Sequence, residues 1–274
     1  MRVEPIRIET DTTPLDGLWY EPDGDIRGVV QLFHGNTMNF YVGPPRFLPP
    51  VLTDRGFACL AYNRRGHDVA SNRDSRDLEG GAYQTAAEMI EDNILAHRWI
   101  LDRGLDDPIL VGHSNGGTLA ARHAADHPGI PALVLLSAHR GGKDLMRMIA
   151  AHGLMAGDRY EEITAHARAL VAAGRGRELM LVPGWWYVIS AGTYCEYLDN
   201  IPDLLDCAAR ITCPTLYLRG DEEPVEIYPA EEFVRRSPAA VDFELIDDCG
   251  HYYLANEDRV ATMVAGWLEA VVGL

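Results

Sequence analysis

The sequence predicts an α/β protein whose mostly parallel, doubly wound sheet is covered by helices on both faces. Short apolar runs bounded by Gly, Asn or polar residues alternate with segments of helical periodicity along most of the chain. Such alternation is typical of parallel strands that are connected by helices. A chain of 274 residues with 47% hydrophobic residues is long enough to bury a sizeable core in this kind of fold.

The predicted elements begin with an antiparallel hairpin at the N-terminus. Residues 3–8 and 15–20 carry apolar positions on either side of the turn-forming segment 11–14. Beyond the hairpin, apolar runs predict strands buried on both faces at residues 28–33, 57–62, 108–112 and 132–137. Helical periodicity between these runs predicts helices over residues 44–55, 82–102 and 116–126.

The alternation stops after residue 137 and resumes near residue 212. The intervening segment, 139–211, is rich in Ala, Gly, Met and aromatic residues rather than in Ser and Pro. We therefore interpret it as a helical lid inserted over one edge of the sheet, with residues 1–138 and 212–274 as the core. The resumed pattern predicts strands at residues 215–220 and 241–246 and helices at residues 229–236 and 256–272.

The composition excludes several classes of function. With 24 Lys and Arg residues against 41 Asp and Glu residues, the formal net charge of −17 repels phosphate backbones and anionic membrane surfaces. No glycine-rich nucleotide-binding motif occurs, and the five cysteines contain no C-x-x-C pair. We expect no nucleic acid, membrane, cofactor or metal as a partner, and free buried thiols.

The N-terminal residues bear on location. They lack the apolar core of a secretory signal, and no run approaches the ~18 apolar residues of a membrane span. This pattern predicts a cytoplasmic protein that acts on a small molecule. The sequence leaves open whether the protein is a monomer or a homodimer.

A serine elbow is the strongest chemical signal in the sequence. Ser114 lies in Gly-His-Ser-Asn-Gly-Gly, residues 112–117, which fits the pattern G-x-S-x-G directly after a predicted strand and before a predicted helix. The flanking glycines are needed because side chains at positions 112 and 116 would collide with neighbouring elements. The turn presents the Ser114 hydroxyl as a candidate nucleophile and directs the amide of Asn115 toward a developing negative charge.

Three further loops supply the remaining parts of a hydrolytic site. Asn36 follows an early strand in the sequence His-Gly-Asn, and its amide is a candidate second donor to an oxyanion. His251 follows the last predicted strand and is the candidate general base. A carboxylate must orient that histidine, and Asp221, Glu222 and Glu223 follow the preceding strand.

Together these motifs resemble the α/β-hydrolase family over nearly the whole chain. The matching segments are His34-Gly35, residues 63–68, residues 112–117, residues 220–225 and Gly250-His251. The family's acid usually stands three residues after the glycine, so the resemblance implies Glu223, with Asp221 as the alternative. A glutamate is a departure from the family, where most members have aspartate and a shorter side chain at this place.

The resemblance also implies a reaction class. It indicates a serine hydrolase that cleaves a carboxylic ester, thioester or lactone of a small to medium, largely apolar substrate. Hydrolysis of a C–C bond in a β-diketone-like substrate is an alternative. Cofactor-free perhydrolysis or halogenation, and ligand binding without turnover, are further alternatives.

Residues of the insertion are candidate substrate contacts. Trp185, Trp186 and Tyr187 concentrate large apolar groups, which we interpret partly as the insertion's own core and partly as the lining of a pocket over the nucleophile. Arg140 and Lys143 follow a predicted strand directly, where they are candidates to bind a substrate carboxylate.

Two other patterns favour structural roles. His123 and His127 have the spacing of a zinc-protease motif, but Ala124 replaces its glutamate, so we expect surface histidines. The arginines of residues 64–76 are interleaved with acidic residues, which favours local salt bridges over an anion site.

Overall fold

The computed structural model of the chain describes residues 1–67, 79–184 and 187–273. Its strands are β1 (Arg2–Ile8), β2 (Leu15–Glu21), β3 (Gly28–Phe33), β4 (Phe57–Tyr62), β5 (Ile109–His113), β6 (Leu133–Leu136), β7 (Leu179–Val182), β8 (Tyr187–Ser190), β9 (Thr215–Gly220) and β10 (Val241–Ile246). Its α-helices are α1 (Pro44–Thr53), α2 (Ala86–Asp102), α3 (Asn115–Asp126), α4 (Leu145–Ala151), α5 (Tyr160–Ala172), α6 (Ala191–Asp199), α7 (Leu204–Ala208), α8 (Ala230–Arg236) and α9 (Glu257–Val271).

The central sheet has eight strands in the order β1-β2-β4-β3-β5-β6-β9-β10. The pairs from β4 onward in this order are parallel, whereas β1-β2 and β2-β4 are antiparallel. The predicted fold class, a mostly parallel sheet with an N-terminal antiparallel hairpin, is confirmed. Strands β6 and β9 are direct neighbours, so the chain leaves the sheet for the insertion and returns to it at adjacent positions.

Helices cover both faces of the sheet. Val134 of β6 packs in a hydrophobic cluster with Leu48 of α1 and Val264 of α9. Its neighbour Leu135 belongs to a different cluster, which includes side chains of α2, α3 and α8. Successive residues of a strand point to opposite faces, and here both faces are apolar. This arrangement explains why the strands appear in the sequence as continuous apolar runs.

Helix α2 begins at Ala86 rather than at residue 82, because a capping box fixes its first turn. The Thr85 hydroxyl accepts a hydrogen bond from the amide of Glu88 (3.2 Å), and the Glu88 carboxylate accepts one from the amide of Thr85 (2.6 Å). These reciprocal bonds satisfy amides that a helix leaves without intrahelical partners. The other predicted elements agree with the structure apart from small differences at their ends.

The segment 139–211 contains a hairpin as well as helices. Helices α4 to α7 agree with the predicted helical insertion, but β7 and β8 pair antiparallel in a separate two-stranded sheet. This hairpin was not predicted, because the sequence of β7, Leu-Met-Leu-Val, lacks the polar alternation of a half-buried strand. Met146, Met155 and Met180 are buried in the same cluster as Leu135, so the insertion shares a hydrophobic core with the sheet.

Two further expectations concern the cysteines and the membrane. All five cysteines are buried free thiols, as predicted. None of the helices in the described ranges combines the length and the apolar composition that crossing a membrane requires.

Candidate active site

Ser114 lies at a sharp turn between β5 and α3. Its φ of 56° falls in the left-handed region, which residues other than glycine seldom adopt. A Cβ at Gly112 would lie 2.3 Å from the carbonyl oxygen of Gly116, and a Cβ at Gly116 would lie 2.2 Å from that of Phe33. Both separations are too short for any side chain. The turn at Ser114 therefore requires glycine at both positions.

His251 and Glu223 lie beside Ser114 at the carboxyl edge of the sheet, after β10 and β9. The Nε2 atom of His251 is 3.0 Å from Oγ of Ser114, and its Nδ1 atom is 2.7 Å from Oε1 of Glu223. A carboxylate only accepts hydrogen bonds, so Nδ1 carries the proton and Nε2 presents a lone pair to the serine hydroxyl. This imidazole is oriented to take a proton from Ser114.

The second oxygen of the Glu223 carboxylate also has hydrogen-bond donors. Oε2 accepts a hydrogen bond from the Ser137 hydroxyl (2.5 Å) and another from the amide of Gly220 (2.9 Å). The side chain of Glu223 is only 3% exposed, so water does not compete strongly with these donors. The sequence analysis missed Ser137, although it directly follows β6 and therefore lies at the same edge of the sheet.

Asp221, the alternative acid, is engaged elsewhere. Its Oδ1 atom accepts a hydrogen bond from the amide of Cys249 (3.0 Å), and this bond is the largest cause that lowers the pKa of the exposed Asp221 carboxyl. The structure brings Glu223 to His251 and uses Asp221 to order the neighbouring loop.

The loop after β3 brings Asn36 into the site. A Cβ on Gly35 would lie 3.3 Å from Cβ of Ser114, which shows how closely the two backbones approach. The Tyr197 hydroxyl of α6 donates a hydrogen bond to Oδ1 of Asn36 (2.5 Å) and links the insertion to this loop. Asn115, the other predicted donor, follows Ser114 and begins α3, where helix amides lack intrahelical partners.

A buried arginine fixes the same loop. The Arg64 guanidinium donates to the carbonyl oxygens of His34 (2.8 Å) and Gly35 (3.3 Å), and the Arg64 amide donates to Nε2 of His34 (3.0 Å). Burial, together with the charge of Arg64, holds the pKa of His34 well below its ordinary value, so the ring stays neutral. The sequence analysis assigned the arginines of this segment to salt bridges and missed this contact.

A family model described as the alpha/beta hydrolase fold matches residues 28–180, more than half of the chain and including the serine elbow. The chain belongs to the α/β-hydrolase family. The expectation from its motifs is confirmed, and the protein is a hydrolase of this family. No curated protein matches the sequence.

Solved structures share the fold of this α/β-hydrolase. Est1E from Butyrivibrio proteoclasticus, with ferulic acid bound, matches at a TM-score of 0.73 and 20% identity, over 98% of this chain and 100% of that chain. The α/β hydrolase GrgF from Penicillium sp. sh18 matches at a TM-score of 0.72 and 16% identity, over 100% of both chains. A highly thermostable carboxyl esterase from Bacillus coagulans, in complex with glycerol, matches at a TM-score of 0.69 and 16% identity, over 99% of both chains. At these identities the similarity shows the fold alone.

Side chains outside the predicted set of site residues also hold His251 in position in this hydrolase. His113 donates from Nε2 to the backbone carbonyl oxygen of His251 (2.8 Å). Burial, with a smaller effect from His251, lowers the pKa of His113 to about 3, so its ring is neutral at pH 7. Tyr228 and Tyr252 flank the imidazole, each with its ring centroid 5.1 Å from that of His251. The flanking rings restrict the imidazole to the orientation that faces Ser114.

A largely apolar groove is lined in part by Tyr252, the residue that follows His251. It has a volume of about 620 Å³, and its lining includes Met38, Val42, Arg46, Phe47, Tyr252 and Leu254. Tyr252 connects the groove to the site, because its ring packs edge-on against the imidazole of His251. The volume lies within the range typical of small-molecule pockets.

The structure describes the predicted substrate contacts of the insertion only in part. Trp185 and Trp186 lie outside the described residues, and Tyr187 begins β8. The backbone of Arg140 is fixed by a hydrogen bond from its amide to the carbonyl oxygen of Ile227 (2.7 Å). Contact between any of these four residues and a substrate stays a prediction.

The structure corrects the expectation about His123 and describes part of the expected salt bridging in residues 64–76. The expectation that His123 lies on the surface is wrong, because the residue is only 4% exposed. Arg65 forms salt bridges, as expected for this segment, and its partners among the described residues include Asp92 (2.8 Å), Asp11 (2.7 Å) and Glu91 (3.0 Å). Most of the interleaved acids lie outside the described residues.

Proposed function

We propose that this protein is a serine hydrolase that cleaves ester-type bonds through a covalent acyl-enzyme. The observation that carries the proposal is the hydrogen-bonded series from Ser114 Oγ through the His251 imidazole to Glu223, with distances of 3.0 and 2.7 Å. A serine hydroxyl is a weak nucleophile and needs an adjacent base to activate it. Here a buried carboxylate orients that base and stabilises the imidazolium that forms when the proton moves.

In the proposed mechanism, Ser114 Oγ attacks the carbonyl carbon while Nε2 of His251 accepts the hydroxyl proton. The backbone amides of Asn36 and Asn115 donate hydrogen bonds to the oxyanion of the tetrahedral intermediate. Collapse of the intermediate breaks the bond to the leaving group, which receives the proton from His251. Water then attacks the acyl-enzyme with His251 as the base again, and the acid product leaves with Ser114 restored.

The contacts around Glu223 support its role as the orienting acid. Ser137 and Gly220 hold Oε2, so Oε1 is directed at Nδ1 of His251 before any charge develops. Dipoles and charges that are already in place need no reorganisation during the reaction, which is the main source of electrostatic catalysis. The proposed steps use only side chains and backbone amides of this chain.

The apolar groove supports substrates of small to medium size with an apolar portion. Among structures of the same fold, one is described as a carboxyl esterase and another was solved with ferulic acid bound. These descriptions favour an ester-type bond for this chain. We further propose that the insertion 139–211 acts as a lid, with Trp185, Trp186 and Tyr187 contacting the substrate and Arg140 binding a carboxylate where the substrate has one.

Covalent labelling tests the proposal. We expect intact-mass analysis to show one fluorophosphonate adduct on the wild-type protein, none on Ser114→Ala and strongly slowed labelling on His251→Ala. Ser237→Ala, which changes a serine at the end of α8, is the matched control and should label like the wild type.

Turnover of short and long p-nitrophenyl esters completes the test. Labelling together with turnover supports the hydrolase. Labelling without turnover of any activated ester favours the alternative of ligand binding. No adduct on the folded wild-type protein contradicts the proposed activation of Ser114.

A further inference from the structure

Three histidines meet between α2 and α3, away from the hydrolytic site. His97 lies on α2, His123 lies on α3, and His127 is the residue at which α3 ends. One ring nitrogen from each histidine lies within 4.8 Å of the other two. An α-helix rises about 1.5 Å per residue, so His127 lies roughly 20 Å along α3 from Ser114. We call these three residues the histidine cluster.

Hydrogen bonds determine which nitrogens of the histidine cluster carry lone pairs. Nδ1 of His127 is 2.8 Å from the carbonyl oxygen of His123, so Nδ1 donates and Nε2 carries the lone pair. Nε2 of His97 is 2.9 Å from the carboxylate of Asp107, so Nε2 donates and Nδ1 carries the lone pair. The remaining bond joins Nδ1 of His97 to Nε2 of His123 (2.8 Å), and His123 is therefore its donor.

We propose that Nδ1 of His97, Nε2 of His123 and Nε2 of His127 bind one divalent transition-metal ion, for which Zn²⁺ is the best match. Imidazole nitrogen suits Zn²⁺ and its neighbours Co²⁺, Ni²⁺ and Cu²⁺, and three histidines with one water form a complete tetrahedral set for zinc. When the ion binds, the proton on Nε2 of His123 moves to Nδ1 of the same ring. The ion therefore meets three neutral ligands. This proposal departs from the metal-free expectation of the sequence analysis.

The distances in the cluster are close to those that a metal needs. Two nitrogens bound to a tetrahedral zinc ion at ~2.0–2.1 Å are about 3.3 Å apart. The bond of 2.8 Å between His97 and His123 must widen slightly, and the longest separation, at most 4.8 Å, must shorten. The rings of His123 and His127 are stacked at 4.1 Å with an interplanar angle of 15°, so one of them must rotate out of the stack to direct its lone pair at a shared ion.

The surroundings of the histidine cluster favour a metal. Asp107 accepts from the far nitrogen of His97, and a carboxylate behind a metal-binding histidine orients the ring and makes it more basic. The nearby cations Arg122 and Arg210 both pair with Asp126, which compensates their charge.

The test is metal binding to the full chain after treatment with a chelator. We expect one Co²⁺ per chain with the visible absorption of a four-coordinate ion, and stoichiometric displacement by Zn²⁺. Zinc should also raise the melting temperature, because it ties the end of α3 to α2 and binds only the folded state.

Variants of single ligands make the test specific. Replacing an outer partner of a metal-bound histidine typically lowers affinity about 10- to 100-fold, and we expect this range for Asp107→Asn. His127→Gln removes a ligand and should lower affinity by more than about 100-fold. His166→Gln, which replaces an exposed histidine on α5, is the matched control and should bind like the wild type.

Circular dichroism and fluorophosphonate labelling report whether each variant is folded, independently of metal. The proposal is overturned if the wild type binds no stoichiometric Co²⁺ or Zn²⁺. It is equally overturned if folded His127→Gln binds as tightly as the wild type, or if His166→Gln loses binding to the same extent as His127→Gln. His127 is partly exposed and Asp107 lies at the surface, so these two variants should fold even where a substitution of buried His97 does not.

Discussion

Replacing Glu223 with glutamine should abolish most of the activity while leaving the fold intact. The carboxylate receives three donors on two oxygens: Nδ1–H of His251 on Oε1, and the Ser137 hydroxyl and the Gly220 amide on Oε2. A glutamine has a single oxygen, and pointing its NH₂ group at the Gly220 amide would leave a buried donor unsatisfied, at a cost of about 1–3 kcal/mol. The glutamine oxygen should therefore stay with Gly220 and Ser137.

The NH₂ group of the substituted side chain then faces Nδ1 of His251, which can only accept. The imidazole proton must move to Nε2, and the ring presents an N–H instead of a lone pair to Ser114. In other serine hydrolases a carboxamide in place of the triad carboxylate lowers kcat about 10⁴-fold through the wrong tautomer. We expect a similar loss in Glu223→Gln, which corresponds to about 5.4 kcal/mol in the activation barrier.

The assay is kcat for a p-nitrophenyl ester together with the second-order rate of fluorophosphonate labelling, since both depend on the basicity of Nε2. Asp221→Asn is the control, because Asp221 bonds the Cys249 amide and not the imidazole. We expect its kcat within about threefold of the wild type, since a surface bond of this kind contributes only ~1 kcal/mol. The reasoning fails if Glu223→Gln keeps more than a tenth of the activity, or if Asp221→Asn loses as much.

Three other perturbations have outcomes that follow from single contacts. Tyr197→Phe removes one hydrogen bond to Asn36, the proposed oxyanion donor, and should lower kcat/KM about fivefold (~1 kcal/mol). Tyr194→Phe loses a comparable hydroxyl bond inside the insertion and should not lower it, so equal kcat/KM values for both variants would contradict this. The pKa of His113 is about 3 in the folded state and ~6.5 in the unfolded state. The unfolded state therefore binds more protons below pH 6.5, and the free energy of unfolding falls as the pH decreases. In urea titrations between pH 6.5 and 4.5, His113→Gln should reduce this dependence by about 1.1 kcal/mol per pH unit on average, and an unchanged slope would refute it. Gly116→Ala should give no folded, active protein, because its Cβ would lie 2.2 Å from a carbonyl oxygen. Gly266 in α9 has open space around it, so Gly266→Ala should raise the free energy of unfolding by about 0.5–1 kcal/mol in thermal melts.

The sequence predicted those features that have a local physical cause. The elbow around Ser114 depends on steric exclusion at Gly112 and Gly116, and the glycines are visible in the sequence itself. His251 could be found because a parallel sheet brings the ends of its strands to one edge. Continuous apolar runs identified the strands for the same reason, since both faces of the sheet are covered.

Features that depend on how side chains meet in three dimensions could not be predicted. Asp221 and Glu223 follow β9 within one turn. The family resemblance favoured Glu223, but the residues alone did not show that Asp221 turns to the Cys249 amide while Glu223 turns to His251. Ser137 belongs to no motif and Arg64 was matched only as part of a segment, yet they hold Glu223 and the loop that carries Asn36 through contacts between side chains and backbone. His123 lies on a correctly predicted helix, but periodicity alone did not show that its ring turns inward to His97 on α2.

The shared core of the insertion limits how a substrate can reach Ser114. Swinging the insertion outward as a hinged body would expose buried side chains such as Met146, Met155 and Met180 to water, at about 1.5–3 kcal/mol for each. Rearrangements of a few rim side chains cost far less. A calorimetric scan should show a single heat-capacity peak, because the insertion and the sheet lose their common core together. The proposed lid would then stay in place and select substrates by shape, and product release would not wait for a large opening motion.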